Sequence, residues 1–138
     1  MLKGITLPAL LAVALTAPAQ ARTCTQAQLT GVWEMYFQGH LNNLNFAIAC
    51  TLQFNSVGVI TSGSNCVDTL GRSTPVIGSL KLANAPSCNY EGALNLTAVN
   101  DINKVERTTL SVDHNVMAGA VYDVPSTIGY AFTMMRIQ

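Results

Sequence analysis

Phe46-Ala47-Ile48-Ala49-Cys50-Thr51-Leu52-Gln53-Phe54 decides the fold. Phe46, Ile48, Cys50, Leu52 and Phe54 are apolar at every second position, with the smaller or polar Ala47, Ala49, Thr51 and Gln53 between them. Side chains of a strand alternate between two faces, so this period marks a β-strand with one buried face. The same period recurs in Cys88, Tyr90, Gly92, Leu94 and Leu96, and again in Ile128, Tyr130, Phe132 and Met134 ahead of Arg136. Between such runs lie clusters of Gly, Asn, Asp, Ser and Pro, at 39–45, 55–58, 62–73, 84–87, 100–103, 113–115 and 123–127. These residues favour turns. The reading predicts eight strands, at 32–38, 44–54, 57–63, 75–82, 88–97, 104–112, 116–122 and 128–137.

Most connections are short, which favours antiparallel neighbours in hairpin order. Eight such strands must hide two sheet edges. An up-and-down β-barrel does so by closing on itself; a β-sandwich is the competing architecture. The unbroken hairpin order favours the barrel. By parity its interior face carries Trp33, Met35, Phe37, Phe46, Ile48, Leu52, Phe54, Tyr90, Leu94, Leu96, Tyr130, Phe132 and Met134. Of these, Met35, Phe37, Phe46, Tyr90, Tyr130, Phe132 and Met134 are the candidate lining of an interior pocket, the two tyrosines supplying polar handles. A filled core is the alternative use of the same side chains.

Residues 1–21 read as a leader. Lys3 is followed by an apolar stretch over residues 5–17 and then by Ala19-Gln20-Ala21. Small residues three and one before the cut suit a signal peptidase, and the run is short of the ~20 residues that span a bilayer. The expected organisation is a signal peptide, 1–21, and one domain, 22–138, exported to a periplasmic or extracellular space. There, four cysteines (Cys24, Cys50, Cys66 and Cys88) imply two disulfides, with three connectivities open.

The chain has 138 residues, with 7 basic against 7 acidic side chains and only 10% charged residues in all. An average domain has about 25%. No basic run is present to neutralise phosphates, so nucleic acid is not an expected partner. The weakly charged surface instead suits another protein or self-association.

Leu29-Thr30-Gly31-Val32-Trp33 opens the first strand, and Arg136 lies in the last. This resembles the G-x-W signature of the calycin barrels, the superfamily of lipocalins and avidins. The likeness implies an eight-stranded barrel with Trp33 at the closed end and a terminal-strand cation, here Arg136, packed over it. Gly31, Trp33 and Arg136 form that structural signature. The layout over residues 28–68 looks most like small bacterial metalloprotease inhibitors, which implies a protein-binding module. In those inhibitors a free N-terminal segment enters the protease cleft; here only Arg22-Thr23 would precede Cys24.

With residues 31–33 set at the bottom of such a barrel, Cys24 and Cys88 both fall at the bottom. Cys50 lies midway along the second strand and Cys66 follows the third. The topology therefore favours Cys24–Cys88 and Cys50–Cys66, the latter needing a bulge or bent loop near Gly63.

Little in the sequence suggests catalysis. His40 and His114 fall in expected loops, and Lys104 and Glu106 read as a surface pair. Neither a phosphate loop nor a metal-ligand spacing occurs, so no cofactor is expected. The expected function is non-enzymatic binding, first as an inhibitor of a secreted or periplasmic hydrolase using loops 39–45 or 66–73. The alternatives are a carrier of a small apolar ligand or a structural subunit of an extracellular assembly.

Overall fold

The computed structural model describes residues 23–41, 44–98, 101–124 and 128–137. The expected leader lies outside them. A one-turn 3-10 helix, Gln26–Leu29, precedes eight strands: β1 Gly31–Leu41, β2 Leu44–Phe54, β3 Asn65–Asp68, β4 Ser73–Asn84, β5 Asn89–Leu96, β6 Asp101–Leu110, β7 Val116–Asp123 and β8 Gly129–Arg136. Every strand pairs antiparallel with its chain neighbour, and β1 pairs with β8, closing an up-and-down barrel. No helix of the described residues is long and apolar enough to cross a membrane.

Parity explains the core. Trp33, Met35, Leu52, Tyr90, Leu94, Phe132 and Met134 are all buried, as their alternation requires. Leu80, Val105, Leu110, Met117 and Val121 complete the packing from the strands between. Phe46 and Ile48 are only partly buried, because they lie near the end of the barrel opposite Trp33.

The third strand differs from the expected 57–63. The regular strand is Asn65–Asp68, while Val59 and Ile60 make only isolated bridges, to Ser79 and Phe54. The cause is local. Gly58 and Gly63 have positive φ, 78° and 93°, which breaks extension on both sides of the bridges. Asn55 Oδ1 accepts from the Val57 and Val59 amides, fixing a turn where a strand was expected. Ser64 then locks the return, donating to Thr61 O at 2.9 Å and accepting from Gln53 N at 2.9 Å. The space between β2 and β4 is thus filled in two pieces, the bridges toward the bottom and β3 above.

This shift sets the disulfide register. Cys66 lies within β3, directly opposite Cys50, and not after the strand as expected. The bonds are Cys50–Cys66 and Cys24–Cys88. Other boundaries move as well: β1 runs to Leu41, β4 spans Ser73–Asn84, β6 starts at Asp101 and β7 runs to Asp123, each reaching positions expected in turns. β6 also carries a bulge between Glu106 and Thr109, with Arg107 at φ 52°. There the β5–β6 pairing has ended at Gly92 and Val105, and the buried Thr108 replaces it. Its Oγ1 accepts from Tyr90 N and donates to Tyr90 O at 2.7 Å.

Candidate functional site

The two ends of the barrel differ. The bottom is sealed. Trp33 is fully buried and its indole N–H donates to Leu29 O at 2.8 Å. The Arg136 guanidinium lies over the indole, 4.7 Å from the ring centre, and its Nη2 donates to Gln28 O. Cys24 is bridged to Cys88 and its amide donates to Ala85 O at 3.1 Å. The Tyr90 hydroxyl donates to Thr25 O at 2.7 Å, and Gln26 bonds both Leu80 O and Leu82 N. Gly31, Trp33 and Arg136 therefore meet at one end, with the 3-10 turn as a plug.

Above this plug the interior is full. Met35, Tyr90 and Met134 lie deep in the packing, and the space between Phe37, Cys50, Cys66, Leu94 and Val121 measures about 10 Å³, enough for at most one water. The opposite end is open. A cavity of about 210 Å³ is lined by Phe37, Phe46, Ile48, Leu96, Asp101, Asn103, Asp123 and Tyr130. Of the expected pocket residues, the structure thus brings Phe37, Phe46 and Tyr130 to a cavity. Phe132 is buried at the inner edge of a different, external groove.

The wall of the open end is aromatic. Phe46 and Tyr130 meet edge to face, centroids 4.9 Å apart. Gly39 makes this contact possible, since a Cβ there would overlap both the Tyr130 ring and the Phe46 ring.

The polar part comes from the strand ends that the sequence reading placed in turns. Asp101 and Asn103 continue the inward line of Val105 on β6, and Asp123 continues that of Val121 on β7. Asn103 is 4% exposed, and its amide nitrogen has no hydrogen-bond partner. Asp123 Oδ1 is also buried without a partner. Burial first, and then the adjoining Asp123 carboxyl, raises Asp101 above its ordinary value; Asn103 opposes this without completing a hydrogen bond. Burial and the charges of Asp123 and Asp101 likewise raise the Tyr130 phenol. Extending the inward parity of β6 by two periods beyond Val105, and that of β7 by one beyond Val121, reaches all three residues from the sequence alone.

The remaining candidates lie elsewhere. His114 occupies a turn at φ 59°, its Nε2 3.1 Å from Gln28 Nε2 near the sealed end. His40 is in β1, with its side chain outside the described residues. Lys104 pairs with Glu106 on the surface. Segment 39–45 is mostly strand, and of 66–73 only 69–72 is loop. A groove of about 740 Å³ crosses the outer face of β8, β1, β2 and β3, lined by Tyr36, Gln38, Ala47, Ala49, Val67, Thr133 and neighbours including Asp68. Among the described residues, no three His, Cys, Asp or Glu side chains group as metal ligands.

No protein-family model matches this sequence, and no curated protein matches it.

Proposed function

We propose that this chain is a non-enzymatic, exported binding protein on a calycin-like barrel, and that it takes a small ligand into its open end. The observation that supports this reading is the difference between the two ends. One is plugged by the 3-10 turn and its hydrogen bonds, with Arg136 Nε buried over Trp33 and unpartnered; the other keeps two such atoms, Asn103 Nδ2 and Asp123 Oδ1, and there they face a cavity. Unpaired buried polar groups cost ~1–3 kcal/mol each, so the two that face the cavity are groups a bound molecule would complete at a gain. The calycin assignment draws on Gly31, Trp33 and Arg136 at the closed end of eight meander strands. Export draws on the leader-like residues 1–21 and on two disulfides.

The ligand is small. About 210 Å³ is below the ~300–1,000 Å³ typical of drug-sized pockets, and the packed interior leaves no depth for a long lipid. The external groove supports a second reading, a protein partner held against β8, β1, β2 and β3. A hydrolase inhibitor acting by N-terminal insertion gains no support, because Cys24 is tied to Cys88 and Ala85.

Native mass spectrometry of the oxidised protein, purified from its own host, tests the reading. A retained small molecule is the expected result. A bare chain recovered in a stoichiometric complex with another protein would move the function to the outer groove.

A further inference from the structure

We propose that the open end binds a small primary ammonium compound, its nitrogen held between Asp101 and Asp123 and its apolar body against Phe46 and Tyr130. This rests on the reading of the open end as a ligand site and adds the ligand's chemistry.

Two carboxylates share this cavity, and none of its described lining residues is basic. Arg72 lines a second cavity, of about 390 Å³, that shares Ile48, Leu96 and Asp101 with this one, and it is engaged by Asp68 at 2.7 Å. Lys104 points outward to Glu106, and Arg136 is at the far end. The pair therefore lacks a counter-charge from the described side chains. A bound ammonium supplies it, and its N–H groups give Asp123 Oδ1 the donor it lacks. It also offsets the repulsion that helps raise Asp101.

Asn103 is the independent observation. It is buried, lines the cavity and offers an unpartnered N–H donor. A bare cation does not satisfy a donor. The ligand must carry an acceptor, a hydroxyl or carbonyl oxygen, close to its nitrogen. This argues against a metal ion too. Calcium takes about 6–8 oxygen ligands, and Phe37, Phe46, Ile48 and Leu96 supply none through their side chains. The aromatic wall favours a cation beside it as well as an apolar body. The cavity holds about seven waters' bulk, so the ligand is one small ring or a short chain.

The test is an NMR titration of the oxidised protein at pH 7 with phenylethanolamine, neutral phenylethanol and calcium chloride. The expected result is saturable binding of the amine, with shifts centred on 101–103, 121–123 and 129–131. Its affinity should exceed that of the alcohol by about tenfold or more, as expected for a desolvated charge pair. Asp123→Asn should remove that advantage, bringing amine binding down to the level of the alcohol measured on the same variant. Asp101→Asn is a second variant with the same expected effect, should the first fail to fold. Equal binding of amine and alcohol would overturn the ammonium assignment and leave the ligand site standing. Saturable calcium binding at these residues without amine binding would also overturn it. No binding of any probe at the open end would overturn both this inference and the small-ligand reading.

Discussion

Arg136 and Trp33 are direct partners across the β1–β8 seam, and the guanidinium of one covers the indole of the other at 4.7 Å. The contact joins three jobs. It closes the sheet, shields the tryptophan from water, and gives the end of the 3-10 turn a charged donor at Gln28 O. Arg136→Ala is expected to cost about 2 kcal/mol, combining the cation–π contact with a charge-assisted hydrogen bond. Arg136→Lys should recover only part of this, since an ammonium cannot lie flat on the ring and reach the carbonyl together. Urea unfolding followed by Trp33 fluorescence measures both; an unchanged midpoint in Arg136→Ala would refute the role.

Cys24–Cys88 spans 64 residues and Cys50–Cys66 spans 16, so chain entropy assigns the longer loop about 4 kcal/mol and the shorter about 3. Removing the first pair as Cys24→Ala/Cys88→Ala should therefore lower stability more. It should also loosen residues 23–29, whose other anchors are Gln26 and the Tyr90 hydroxyl. Hydrogen exchange at β5 and at the plug distinguishes this from a uniform loss.

Thr108 satisfies both backbone groups of Tyr90 where the ladder stops. Thr108→Val preserves shape and removes both of these buried hydrogen bonds. The expected cost is about 3 kcal/mol, while Thr108→Ser should stay within about 1 kcal/mol of the parent. Denaturant midpoints compare the three.

Asp101 is held above its ordinary carboxyl value by burial and by Asp123. Between the unfolded value and the raised folded one, the folded chain holds more protons, so this group's contribution falls as pH rises. Asp101→Asn should therefore melt higher than the parent at pH 7, with the gap closing as pH falls toward ~4. Asp68 and Asp113 act oppositely. Backbone bonds to Arg72 for the first, and the Ser111 hydroxyl for the second, lower their values, so their support is lost in acid. Melting curves of variant and parent across this range isolate the Asp101 effect, and a gap that widened in acid would contradict it.

Parity along β1, β2, β5 and β8 made the barrel and its core legible, because each strand has one wet and one dry face. It was less informative at 57–63, where Val57 and Val59 suggested a strand but Gly58 and the Asn55 side chain impose a turn. The polar part of the candidate site escaped for a related reason. Asp101, Asn103 and Asp123 have turn-forming chemistry, yet strand pairing with Leu96, Leu94 and Asn103 overrides it and turns them inward. The Arg136–Trp33 contact was legible only through the calycin likeness, since nothing local in either segment points to the other.

The β1–β8 seam also imposes an order of events. Its partners, Trp33 and Arg136, are roughly a hundred residues apart, so synthesis must have passed Arg136 before they can meet. Until then the molecule is an open sheet with β1 and β7 as bare edges, each a template for wrong pairing. Both disulfides use residues no later than Cys88, so both can form before the final strand arrives. Strand β8 is thus a latch that drops last onto a frame already stapled. A chain ending before Gly129 should be oxidised correctly and still aggregate through its edges.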